Sequence, residues 1–239
     1  LLLGAVAGAS FWAPHISWLT LYLGPIPWLA LTAAMVSWFA LFGLLTATTT
    51  RALALLRLRT VILVPAQAAT VAGLWVLREQ LQSTVPYGGF AWGRLAHTQA
   101  DGPLAQSASW LGFAGLTGIL AFACALLVAG AFAGPRGVLR RHPWRTGLVL
   151  GGVTVLLGAL AVIPAAPLEQ TGTLRVAAVQ GNSKSGIFDD RESGDVLRDH
   201  LSATADLLDE LDASGQAVDV IVWPENSAEF DLPGNFAGG

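Results

Sequence analysis

The sequence predicts a polytopic α-helical membrane domain followed by the start of an α/β domain. Three observations carry that prediction. The composition is 54% hydrophobic and 12% charged, with a mean hydropathy of +0.58, where soluble domains run at about 25% charged residues. The charge is also divided: residues 1–170 hold nine Arg against three acids (Glu79, Asp101, Glu169), and residues 171–239 hold four basic against thirteen acidic residues. Eight of the nine Trp fall in the first part. A strand–helix–strand pattern then follows the last apolar stretch. Lipid is the first solvent and water the second.

A spanning helix needs about 20 mostly apolar residues, and five stretches meet that demand: 1–23, 26–49, 56–78, 108–133 and 146–166. Pro14 and His15 interrupt the first, and Gly24-Pro25-Ile26-Pro27 forces a tight turn before the second. Arg51, Arg57 and Arg59 lie between spans two and three, and Arg136, Arg140, Arg141 and Arg145 between spans four and five. Basic residues gather on the cytoplasmic side. The 79–107 loop and everything after residue 167 are therefore expected outside. Trp18, Tyr22 and Trp28, with Tyr87, Trp92 and Trp110, then form an outer aromatic belt.

The 79–107 connector contains Pro86-Tyr-Gly-Gly-Phe-Ala-Trp-Gly93, aromatic and glycine-rich between two spans. Loops of this length tend to be functional. The alternative is an interfacial packing loop without chemistry. Past Ala165-Ala166-Pro167, the apolar run Leu174–Gln180 reads as a buried strand ended by Gly181-Asn182. An amphipathic helix is expected over 195–213, with Leu197, Leu201, Leu208 and Leu211 near helical spacing. Gly215 is its stop signal, and Val218–Trp223 is the second strand, stopped by Pro224. A β-α-β unit of this kind has parallel strands. Glu225 follows directly, at the carboxyl end of a strand, where open α/β sheets gather ligands and reacting groups.

Val176-Ala-Ala-Val-Gln-Gly-Asn182, a helix, and then Asp219-Val-Ile-Val-Trp-Pro-Glu-Asn226 resemble the nitrilase (carbon–nitrogen hydrolase) superfamily, whose domain is an αββα sandwich. Behind several spans, this arrangement is similar to the apolipoprotein N-acyltransferase family, and its Trp-Pro-Glu-Asn form resembles the actinobacterial branch. The stretch from Glu79 through Gly89-Phe-Ala-Trp-Gly93 to Asp101-Gly-Pro-Leu104 is similar to that family's loop between spans. Three features depart from the pattern: Ser183-Lys184-Ser185 where a Pro is common, Phe188 nearest the place of a Trp, and Gln82 where an Arg is frequent.

The resemblance implies an enzyme using a Glu, a Lys and a Cys, of which Glu225 matches the Glu. The Lys and Cys would fall past residue 239, and Lys184 is too early in the chain to be that Lys. The chain starts inside an apolar run and closes on Asn235–Gly239, so it is read as a fragment cut at both ends and inactive alone. The implied domains are a transmembrane domain over 1–170 and the first part of an extracytoplasmic nitrilase-like domain over 171–239. The implied reaction moves an acyl chain from a phospholipid donor to the N-terminal amine of a diacylated apolipoprotein through a Cys thioester. Both substrates sit in the bilayer of the bacterial cell membrane. No cofactor, metal or nucleic-acid partner is implied.

Glu225 is thus the candidate general base, shielded by Val222 and Trp223. Glu79, Phe90, Trp92, Trp223 and Asn226 are the candidate substrate-binding residues, and Glu79 is also read as shaping the lipid entry or the loop. Glu229 and Asp231 read as solvated loop acids, and His15 as an interhelical hydrogen-bond partner. Cys124, the only Cys, lies mid-span among Ala, Phe and Leu and reads as a small apolar residue, so no disulfide framework exists within the chain. His97, His142 and His200 lack metal-like spacing. Two other classes stay open: a membrane-tethered amidase using the same Glu-Lys-Cys set, and a scaffold or transporter with a binding domain. The near absence of charge inside the spans argues against transport.

Overall fold

The computed structural model describes residues 1–132, 143–169, 171–182 and 194–224. Arg136, Arg140, Arg141, Lys184, Phe188, Glu225, Asn226, Glu229 and Asp231 lie outside the described residues. The chain divides into two compact units, one of Leu1–Ser17 with Pro25–Pro167 and one of Trp18–Gly24 with Leu168–Gly239.

The expected first span is two helices, α1 (Leu2–His15) and the five-residue α2 (Leu19–Leu23). Pro14 lies in the last turn of α1, and Ile16 leaves helical geometry at φ −106° and ψ 19°. The carbonyls freed at this end are satisfied locally: Trp28 Nε1 donates to Ala13 O at 3.0 Å, and Ser17 Oγ to Pro14 O at 2.9 Å. Such replacement partners are what an apolar environment demands of an interrupted helix.

Gly24, at φ +80°, turns the chain into α3 (Pro25–Leu55). Pro25 occupies the first helical position, where its missing N–H costs nothing. Near the far end, the hydroxyls of Thr48, Thr49 and Thr50 donate to carbonyls one turn back (Leu44, Leu45 and Thr46), so these three polar residues ride an apolar helix with their hydroxyls satisfied. α4 (Thr60–Gln82) follows a short turn. After the loop, α5 (Ala108–Phe132) is broken at Gly112, whose φ of 63° and ψ of 176° only glycine adopts readily. α6 is Pro143–Val162. By length and composition, the segments Pro25–Leu55, Thr60–Gln82 and Ala105–Val128 can each cross a membrane, and Gly147–Val162 is a shorter apolar helix.

α4 packs against both α3 and α5, and α1 lies along α3. Glycine makes the second contact close: a Cβ at Gly8 would strike the Phe39 side chain. One core cluster joins Trp12, Ile16, Met35 and Phe39, with Trp28, Trp75 and Phe90 packed on it. A second joins Ala96 and Leu104 of the loop to Leu116 of α5.

The second unit contains the expected β-α-β pattern. β1 (Val176–Ala178) pairs in parallel with β2 (Val220–Val222), in the register Val176↔Val220, Ala177↔Ile221 and Ala178↔Val222. α7 (Asp195–Ser214) joins them and ends at Gly215, φ +63°. The inward stripe of α7 is built on Val196 and His200, while Leu201 and Leu208 are exposed. Leu197 and Leu211 are half-buried, so the expected leucine face is corrected at Leu201 and Leu208 alone. The helix turns its β-branched and aromatic side chains toward the strands, and the leucines at 201 and 208 fall on the next face round.

Candidate functional site

Two places hold the candidate residues, one in each unit. At the carboxyl end of β2, the ladder continues one step past the strand, with Val179 N–H donating to Val222 O at 3.0 Å. At the other end, Asp219 Oδ2 accepts from the Arg175 N–H at 2.8 Å, and Asp219 N–H donates to Arg175 O at 2.9 Å. Trp223 is half-buried; its Nε1 donates to Thr204 Oγ1 on α7 at 3.0 Å, and its ring lies 5.5 Å from that of His200.

His200 is 2% exposed. Its Nδ1 sits 2.8 Å from Val196 O, and because a carbonyl only accepts, Nδ1 carries the proton. Gly181 lies so close that a Cβ there would strike His200 Nδ1 and the His200 backbone N. Two strand ends, Gly181-Asn182 and Trp223-Pro224, are therefore fixed by α7. Asn182 adopts φ +54°, a left-handed conformation that Asn tolerates. Trp223 and Pro224 precede Glu225 and Asn226, which lie outside the described residues.

The other place is the loop after α4. Glu79 is 5% exposed, and both its oxygens are occupied. Oε1 accepts from Trp75 Nε1 at 2.8 Å and from the Leu95 N–H at 2.8 Å, and Oε2 accepts from Thr117 Oγ1 at 3.0 Å. Thr117 Oγ1 in turn accepts from the Ala96 N–H at 3.1 Å. One carboxylate thus ties α4, α5 and the start of a 3-10 turn, Leu95–Gln99, into a single knot.

Arg78 stands beside it, 4% exposed, with its guanidinium 3.6 Å from Glu79 Oε1. Arg78 stacks over the rings of Phe39 (4.3 Å) and Trp75 (4.7 Å) and donates to Gln82 Oε1 at 2.8 Å. Gln82 passes the contact on to the loop: its Nε2 donates to Phe90 O at 3.3 Å, and its own carbonyl accepts the Phe90 N–H at 2.7 Å. Buried charges survive in apolar surroundings only when paired and hydrogen-bonded in this way.

Phe90 packs edge-on against Trp12 at 5.7 Å, while Trp92 points away and is 63% exposed. The Trp92 carbonyl is held by His15 Nε2 at 3.0 Å, so His15 braces the loop backbone rather than another helix. Gly89, at φ +69°, passes so close to Ser83 and Thr84 that any Cβ would collide with their backbone. The loop therefore presents Tyr87 and Trp92 outward on a rigid base and keeps Phe90 inward. Glu79 and Phe90 belong to one network; its geometry makes Glu79 the anchor of the loop.

Sequence reasoning passed over Arg78, Thr117 and Trp12. Trp75/Glu79 and Arg78/Gln82 are i,i+4 pairs on one helix, a signal present in the sequence. Thr117, 38 residues from Glu79, gave no such signal. Cys124 lies on α5 and lines a cavity rather than a packed core. Among the described residues, no group of three or more His, Cys, Asp or Glu could hold a metal ion.

The family model described as "Apolipoprotein N-acyltransferase N-terminal domain" matches residues 1–126. The chain is 31% identical over 188 residues to the apolipoprotein N-acyltransferase of Pseudomonas putida, a match covering 72% of this chain and 34% of that protein. It is 35% identical over 170 residues to that of Azotobacter vinelandii, covering 68% and 29%, and 28% identical over 155 residues to that of Sinorhizobium medicae, covering 62% and 27%. The matched stretch is about a third of the length of these curated relatives. With more than half of its residues matched, and with a knotted loop between apolar helices followed by a β-α-β unit, the chain belongs to the apolipoprotein N-acyltransferase family.

Proposed function

We propose that this chain is part of a membrane-bound N-acyltransferase that moves a fatty acyl chain from a phospholipid to the N-terminal amine of a diacylated apolipoprotein. The observation that carries the reading is the strand end at Trp223-Pro224, oriented by α7 and followed in sequence by Glu225. Family membership and three helices able to cross a membrane support it.

In this reading Glu225 is the general base. A Cys thiol, supplied with a Lys by the further length that the relatives possess, gives its proton to the Glu225 carboxylate and attacks the acyl ester carbonyl. The Lys stabilises the oxyanion. The ester C–O bond breaks, the lysophospholipid alkoxide takes the proton back, and a thioester remains. The amine of the acceptor then attacks that carbonyl, the C–S bond breaks, and an amide and a free thiol result. The bilayer supplies both substrates, which accounts for a soluble-type domain carried on apolar helices. The arginine-rich turns face the cytoplasm and the 83–107 loop and the domain after residue 167 face outward, following the distribution of basic residues.

In the complete protein, Glu225→Gln lowers acyl transfer by about 10²–10⁴-fold, read as the mass of a reporter lipoprotein shifting from its triacylated to its diacylated form. Membrane insertion stays normal. Acylation at the wild-type rate would overturn the assignment.

A further inference from the structure

A cavity of about 700 Å³ lies in the helical unit among α3, α4 and α5, within the roughly 300–1,000 Å³ range of small-molecule sites. Every fourth residue from Phe42 to Ala54 on α3 lines it, as does every fourth residue from Leu63 to Trp75 on α4. At about 1.5 Å per residue, each row runs roughly 18 Å. On α5 the lining is Ala121, Cys124 and Ala125, side chains too small to fill the space, with Val128 beyond them.

The cavity is graded in polarity along its length. Toward the loop it is apolar, lined by Phe42, Val71, Trp75 and Leu95. Toward the α3–α4 turn come Thr46, Thr50 and Gln67. Gln67 Nε2 donates to Thr50 O at 3.2 Å, and the buried Thr46 Oγ1 has no hydrogen-bond partner. Beyond that end, within one turn of Ala54 and Leu63, stand Arg51, Arg57 and Arg59. All three are exposed, and none of their guanidinium groups has a hydrogen-bond or ion-pair partner among the described residues. An apolar bore, a polar collar and an unpaired cationic rim match, in that order, an acyl chain, an ester linkage and an anionic headgroup.

We propose that this cavity is a binding site for one glycerophospholipid with an anionic headgroup. The headgroup lies on Arg51, Arg57 and Arg59, an ester carbonyl lies at the polar collar of Thr50 and Gln67, and one acyl chain runs between α3 and α5 over α4. Basic pockets between membrane helices select anionic headgroups on this principle. The inference rests on the membrane placement proposed above and is independent of acyl transfer. Its rim is at the opposite end of the helices from the 83–107 loop, so the bound lipid is a resident ligand and not the acyl donor.

The test uses the full chain, purified and reconstituted in phosphatidylcholine nanodiscs with a trace of phosphatidylglycerol or phosphatidylcholine bearing a nitroxide on its acyl chain. The motionally restricted component of the spin-resonance spectrum is read. The wild type prefers the anionic phosphatidylglycerol, each arginine contributing up to about five-fold, and 0.5 M salt weakens the preference. R51Q/R57Q/R59Q brings it close to one, and R51K/R57K/R59K retains it. Ala125→Trp lowers the restricted component of phosphatidylglycerol and its excess over phosphatidylcholine; Ala121→Leu, a smaller filling, lowers both less, and far-ultraviolet circular dichroism confirms that the helices remain. Equal binding of the two lipids by the wild type would overturn the proposal. So would a preference that survives the triple Gln variant, or a phosphatidylglycerol preference that neither cavity-filling change reduces.

Discussion

Exposed apolar side chains occur in both units and mean different things. In the helical unit they sit on helices whose backbone groups are bonded internally and many of whose hydroxyls reach a carbonyl one turn back. Leu44 and Leu45 are exposed beside threonines that are already satisfied. In the second unit, Val176, Val220 and Val222 are exposed on a sheet that has only two strands among the described residues, and two-stranded sheets are marginal alone. The first kind of exposure suits lipid; the second is an uncovered protein face. Exposure therefore has to be read together with where the backbone hydrogen bonds go.

The comparison breaks most readily at Glu79. Replacing it with Ala leaves Arg78 buried without its countercharge, and frees the Leu95 N–H, Trp75 Nε1 and Thr117 hydroxyl. A loss of about 3–5 kcal/mol is expected, measured as a lowered thermal midpoint in detergent, together with new protease cleavage in residues 83–107. A thermal midpoint within error of the wild type would show that the knot does not hold the unit together. Gly89→Ala strikes the same loop through its backbone, at a cost of about 1–3 kcal/mol, and should raise cleavage there without changing helix content. In the other unit the expected effects are smaller. Trp223→Phe removes the indole bond to Thr204, worth about 0.5–1.5 kcal/mol. Hydrogen exchange sharpens the contrast: amides of α4 should exchange far more slowly than those of β1 and β2, and equal protection would argue that the second unit is as self-sufficient as the first.

Much of this was legible in the sequence because the signals are local. Hydropathy located α3, α4 and α5; the Val-rich runs bounded by Gly and Pro located both strands; and Gly215 marked the end of α7. The illegible parts depend on contacts distant in the chain. Pro14 hinted at an interruption, but only the carbonyls satisfied by Trp28 and Ser17 explain why α1 stops at His15. The exposure of Leu201 and Leu208 on α7 is not legible, because leucine spacing alone does not say that the small Gly181 leaves room for His200 to face the strands. Glu79 was noticed as an acid near a helix end, yet its meaning comes from Thr117, which looks like any other Thr in an apolar run.

The most direct test of the central claim is the acyl-enzyme itself. The complete protein is incubated with a phospholipid donor and no acceptor, and the covalent mass is read before and after hydroxylamine, which cleaves thioesters. The account predicts one hydroxylamine-labile acyl group on the wild type and a strongly slowed appearance of it on Glu225→Ala. An adduct forming at the same rate without Glu225, or none on the wild type while acyl transfer proceeds, would contradict it.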